Sequence, residues 1–161
     1  MPSLAEKLMG CDHVSNTKTL KPLITMPLHK RRIRVLVADD HALVREGLAR
    51  LLGAESDIEV VGEASNGQAA VDMAAELLPD VILMDMSMPE LNGVESTRAI
   101  LHSFPNIAII GLSMFEEEER GQAMRNAGAV DYLSKGGPVA GLLAAIRNCG
   151  RGHARRSRAA D

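Results

Sequence analysis

Five side chains in this sequence stand where chemistry could occur. Asp39 and Asp40 close the apolar run Val35–Ala38, and Asp85 closes Val81–Met84. Ser113 follows a third apolar stretch, and Lys135 follows Leu133 and Ser134. Three converging carboxylates repel, so without a cation one of them would have its pKa raised. A small hard dication relieves this. Mg2+ takes oxygen ligands at about 2.0–2.1 Å, keeps several waters and uses a few carboxylates plus a phosphate. The backbone carbonyl of Ser87, just past Asp85, could complete such a set. With that ion in place, Asp85 could attack phosphorus as a carboxylate nucleophile. The metal and the Lys135 ammonium would stabilise charge on the equatorial oxygens. The Ser113 hydroxyl could donate to a phosphoryl oxygen.

The surrounding pattern predicts how these residues meet. "IRVLVADD", "IEVVGEA", "DVILMD", "NIAIIGLS" and "AVDYLS" read as five strands, most of them continuously apolar. Between and after them lie five helical patterns: "HALVREGLARLLG", "NGQAAVDMAAELL", "GVESTRAILHS", "FEEEERGQAMRNAG" and "PVAGLLAAIRNCG". The first helix places Leu43, Val44, Gly47, Leu48, Leu51 and Leu52 on one face and stops at Gly53; Pro79 ends the second. Strands alternating with helices imply a parallel sheet covered on both faces, because right-handed crossovers put helices there. The fold class is therefore α/β: a doubly wound, five-stranded parallel sheet. In such sheets ligands bind outside the carboxyl ends of the strands. That edge collects Asp39 and Asp40, Asp85, Ser113 and Lys135; the second strand adds only Glu63, Ala64 and Ser65.

Composition limits the alternatives. With one Tyr, two Phe and no Trp, the core must be aliphatic. Cys11 and Cys149 form neither a disulfide framework nor a zinc spacing, which fits a reducing compartment. No apolar run approaches the ~20 residues of a membrane span. A cytoplasmic location is expected. Charge is unevenly spread around the total of −3. Residues 35–146 carry 18 acidic against six basic side chains, whereas residues 1–34 and 147–161 are net basic. The acidic part would repel a phosphate backbone, and only the ends could attract one. Residues 1–31 read as a flexible leader, 32–149 as the domain, and 150–161 as a basic, disordered tail. No helix-turn-helix pattern follows the last helix.

At these residues the sequence resembles a known family. "VLVADDHALVREGLARLL", "DVILMDMSMPELNGVE", "GLSMF" and "AGAVDYLSKGGP" are similar to the receiver domain of bacterial response regulators. The likeness spans roughly residues 32 to 148. It is strongest to receivers that precede a helix-turn-helix output or end hybrid histidine kinases. The resemblance implies a flavodoxin-like fold with strand order 2-1-3-4-5. It implies Mg2+ at Asp39, Asp40 and Asp85, and phosphotransfer from a histidine kinase or phosphotransfer protein to Asp85. It further implies a switch through Ser113 and Tyr132, read by a downstream effector on the face of the fourth helix, fifth strand and fifth helix, or by a phosphorylation-dependent homodimer. Such a domain is a self-phosphorylating and self-dephosphorylating switch, not a turnover enzyme. One departure is that Gly136 and Gly137 precede Pro138, where many receivers have proline directly after the lysine.

Other residues have plainer readings. Met86, Met88 and Met114 are expected to fill space around the site. Glu116–Glu119 read as a solvated first helical turn, favoured by the helix dipole. His41 reads as a helix-start residue near the site mouth, with a metal ligand as the alternative. Three other functions compete: an aspartyl-nucleophile phosphohydrolase, an interaction module with no phosphorylation, and a DNA-binding regulator acting through the tails. The first wants a second Asp two residues past the nucleophile, and Ser87 stands there.

Overall fold

Strand β3 (Val81–Asp85) is buried at all five residues, and the molecule is built around it. The computed structural model describes residues 30–115 and 117–158, the last six of these as backbone alone. Most of the expected leader, Glu116 and residues 159–161 thus lie outside the described residues. β3 is flanked by β1 (Ile33–Ala38) and β4 (Ala108–Ser113); β2 (Ile58–Ala64) and β5 (Asp131–Ser134) take the outer places. All neighbours are parallel and the order is β2-β1-β3-β4-β5. This is the expected doubly wound sheet, and its topological switch lies between β1 and β3.

Alternation along the strands divides the core in two. Leu36, Ile82, Met84 and Ile109 face one side, with Ala70 and Ala74 of α2 (Gly67–Leu77), Ile100 of α3 (Gly93–Ser103) and Met124 of α4 (Glu118–Asn126). Val35, Val37, Val81, Leu83 and Ile110 face the other. There they meet Leu52 of α1 (Ala42–Gly53) and Ile146 of α5 (Val139–Arg158). Both faces are apolar because both are covered. Truncating a fully buried residue such as Leu83 to alanine would cost about 2–5 kcal/mol.

Local chemistry sets the helix ends. Asn66 caps α2 through Ala69 N–H, and Asn92 with Glu95 forms a reciprocal capping box on α3. α2 stops where Leu78 turns left-handed (φ 46°) ahead of Pro79; the Arg34 guanidinium holds the Leu78 carbonyl at 2.9 Å. Arg147 of α5 pairs with Asp57 and Glu55 beyond α1, at 2.8 and 2.7 Å. Those carboxylates keep its guanidinium charged well above the usual range.

Several expectations need correction. α5 continues to Arg158, so residues 150–158 are helical where a disordered tail was expected. Gly150 lies within this helix and packs closely: a Cβ there would come within 2.7 Å of Ile33. α4 begins at Glu118, three residues later than its pattern, and leaves Phe115 exposed in the preceding loop. Leu43 also faces outward; the α1 residues packed into the core are Leu48, Leu51 and Leu52. Met86 and Met88 are buried as expected, whereas Met114 is exposed. Helical periodicity marks an apolar stripe but not where the neighbouring layer ends.

Candidate functional site

β1 and β3 run side by side, and their pairing ends with Ala38 opposite Met84. The next residues are Asp39 and Asp85, so the sheet edge brings two carboxylates together at the switch point. Both are nearly enclosed, at 1% and 4% exposure. Two contacts keep Asp39 in place: its N–H donates to the Ala64 carbonyl of β2, and its carbonyl accepts from the Arg45 guanidinium at 2.7 Å. Arg45 also lies 3.4 Å from Glu63. α3 begins directly behind Asp85. Any Cβ on Gly93 would run into the Asp85 carbonyl oxygen, so only glycine allows this approach.

Lys135 comes from the end of β5. Its backbone N–H donates to the Ser113 carbonyl at 2.7 Å, continuing the β4–β5 ladder one residue past Ser113 and Ser134. This directs the ammonium inward, where Nζ lies 2.6 Å from Asp39 Oδ2 and 3.0 Å from Asp85 Oδ1. The two carboxylates thus share one buried cation. Asp85 Oδ2 has no hydrogen-bond partner, and Asp39 Oδ2 meets the ammonium as an ion pair without a directed hydrogen bond. Burial pushes the Asp85 carboxyl up. Lys135 pulls it down through a hydrogen bond and its charge, Asp39 and Asp40 push it up again, and the net shift is upward. Burial alone would lower the Lys135 ammonium, but its close approach to the Asp39 and Asp85 carboxylates outweighs this and raises it.

Asp40 is more open and stands at the mouth. Oxygens of Asp39, Asp40 and Asp85 and a nitrogen of His41 all lie within 4.8 Å of one another. This set fits a dication. It is anionic beyond what one ammonium neutralises, and it holds a buried carboxylate oxygen without a partner. Ser113 is buried at the same edge, one residue past the Asp85–Leu112 pairing, and its Oγ accepts from Phe115 N–H at 3.2 Å. Ser87 lies in the loop after β3.

Tyr132 stands on β5 opposite Gly111. Its ring lies between two glycines: a Cβ on Gly111 would come within 3.1 Å of it, and one on Gly121 within 2.9 Å. Its hydroxyl donates to the Phe115 carbonyl at 3.3 Å. The ring therefore ties α4 and the β4–α4 loop to the sheet. Sequence reasoning passed over Gly121 and Arg45. Their role comes from contacts six or more residues away, which periodicity does not reveal.

The fold and site define an open α/β protein with a carboxylate–lysine centre at its switch point. The chain belongs to the response regulator receiver domain family, whose pattern matches residues 35–147. It is 44% identical over 115 residues to the response regulator GacA of Pseudomonas viridiflava, covering 71% of this chain and 54% of that protein. It is 45% identical over 120 residues to the transcriptional regulatory protein LiaR of Bacillus subtilis, covering 74% and 57%. Among solved structures it resembles the response regulator domain of Thermotoga maritima CheB, with TM-score 0.70 and 37% identity over 75% of this chain and 98% of that one. The receiver domain of NarL from Mycobacterium tuberculosis gives TM-score 0.71 and 32% identity over 76% and 98%. The chain spans about half the length of GacA and LiaR. Among the described residues no helix is long and apolar enough to cross a membrane.

Proposed function

We propose that Asp85 accepts a phosphoryl group from a histidine kinase or phosphotransfer protein, and that this chain is the switch of a cytoplasmic two-component system. The observation that carries this reading is the Asp85 carboxylate itself. It is buried at the sheet edge with Oδ1 beside Lys135 and Oδ2 without a partner. One oxygen is held and the other is free to act. Asp39, Asp40, Asp85 and the Ser87 carbonyl would hold Mg2+. When bound, that ion offsets the carboxylate charge and draws in the phosphoryl oxygens.

In the transfer, an Asp85 oxygen forms the bond to phosphorus as the donor's phosphorus–nitrogen bond breaks, and the freed imidazole keeps that electron pair and takes a proton. Lys135 then has a phosphoryl oxygen to pair with in place of Asp85 Oδ1. Ser113 donates its hydroxyl proton to another phosphoryl oxygen, and turning toward it draws Oγ away from the Phe115 N–H that it now accepts from. The β4–α4 loop is also held by Tyr132, so a shift at Ser113 reaches the α4–β5–α5 face. A downstream effector or a second copy of the chain would read that face. The aspartyl phosphate is later hydrolysed at the same centre, which makes the chain a switch and not a turnover catalyst. The test is borohydride trapping after treatment with Mg2+ and acetyl phosphate. Reduction of an aspartyl phosphate leaves homoserine, and peptide mapping should find it at position 85; homoserine elsewhere, or none, would overturn the assignment.

A further inference from the structure

His41 is the N-cap of α1, yet its side chain makes no capping hydrogen bond. Residues that serve as N-caps are Ser, Thr, Asp and Asn, whose short oxygens reach the first-turn N–H groups. The imidazole turns the other way. Nδ1 lies 3.0 Å from Asp40 Oδ1 and 3.4 Å from Asp39 Oδ1, although the side chain is 66% exposed. The backbone reinforces this, since His41 N–H donates to Asp39 Oδ1 at 2.9 Å. A largely exposed histidine whose side chain does not cap its helix is thus folded back over the acidic centre.

The spacing fits a coordination shell. A dication with ligands at about 2.1 Å places neighbouring ligands about 3.0 Å apart and opposite ones about 4.2 Å apart. His41 Nδ1 and Asp40 Oδ1 stand at the neighbouring distance. The whole set, Asp85 included, lies within 4.8 Å. The unpartnered Asp85 Oδ2, in a residue more than nine-tenths buried, independently marks this centre as short of a cation.

We propose that His41 Nδ1 is a ligand of the cation held by Asp39, Asp40 and Asp85, and that it shifts this centre from Mg2+ toward a first-row transition dication such as Mn2+ or Co2+. The inference rests on the metal site proposed above. Its chemical basis is ligand type. Mg2+ is served by oxygen, whereas an imidazole nitrogen adds affinity for transition ions. A simple His41–Asp40 ion pair has the same metal-free distances but contributes no nitrogen to a bound metal.

The experiment uses the full chain, wild type and His41→Ala, with His41→Ser as a second variant that restores a capping residue should alanine fray α1. Mg2+ and Co2+ affinities are measured by calorimetry, and pulsed EPR of the Mn2+-loaded protein is read for nitrogen coupling. The expected result is a nitrogen coupling in wild type that both variants lose. Co2+ affinity should fall about tenfold or more in the variants, with Mg2+ affinity changed less than about twofold. Metal binding without nitrogen coupling, or equal changes for both ions, would overturn ligation by His41 and leave the carboxylate site standing. Failure of wild type to bind any of these ions would overturn both readings together.

Discussion

Lys135→Met tests the electrostatics of the centre most sharply. Methionine keeps most of the unbranched apolar stem of lysine and removes the ammonium with its charge and its donors. At 2.6 Å from Asp39 and 3.0 Å from Asp85, with an effective dielectric near 20, the ammonium is attracted by about 6 kcal/mol to each carboxylate. Desolvation of the three groups takes back much of this. What remains when one partner of a buried ion pair is deleted is a loss of about 3–5 kcal/mol. Urea unfolding at pH 8 with EDTA should show a loss of that size. The pH dependence follows from Asp85, whose pKa is already raised and which Lys135 pulls down. Without Lys135 that pKa rises further. A group with a raised folded-state pKa holds its proton more tightly folded than unfolded. Its contribution is therefore present at low pH and lost as pH rises through the folded value. The deficit of Lys135→Met should accordingly be small at pH 5 and largest at pH 8. Mg2+ affinity should increase, since a competing positive charge is gone. A variant within about 1 kcal/mol of wild type at pH 8, with an unchanged Mg2+ titration, would refute this reasoning.

Three further outcomes concern residues elsewhere. Gly121→Ala places a methyl 2.9 Å from the Tyr132 ring and should cost about 1–3 kcal/mol. Tyr132 is the sole tyrosine and there is no tryptophan, so fluorescence reads the ring directly; Gly53→Ala, which meets open space, should be neutral or stabilising by about 0.5–1 kcal/mol. Cys149 has its thiol pushed up by burial and then by Asp131. In a Cys11→Ser background its alkylation at pH 8 should be slower than that of a free thiol and should climb only at more alkaline pH; a rate matching free cysteine would contradict the burial.

The elements that position the site were legible because both levels of signal agree. β2 and α3 have the bounds their patterns predict, Ile58–Ala64 and Gly93–Ser103. The rule that ligands gather at the carboxyl edge of a parallel sheet was enough to bring Asp39, Asp85 and Lys135 together. Features that depend on neighbouring layers were not legible. The last helical pattern ends at Gly150, whereas the helix runs on to Arg158 with Gly150 against Ile33. Phe115 reads as part of a helical stripe until α4 is found to begin past it. His41 reads as a helix-start residue because a sequence does not give the direction of a ring. Arg45 has no local signal for its bond to the Asp39 carbonyl, which depends on how α1 turns away from β1.

The central claim is that Asp85 takes the phosphoryl group with the help of this acidic centre. The most direct test is intact mass after incubation with Mg2+ and acetyl phosphate, comparing wild type with Asp85→Asn. The account predicts one phosphoryl adduct on wild type, none on Asp85→Asn, and none on either when EDTA replaces Mg2+. An adduct that survives Asp85→Asn, or a folded wild type that takes up none in Mg2+, would contradict it.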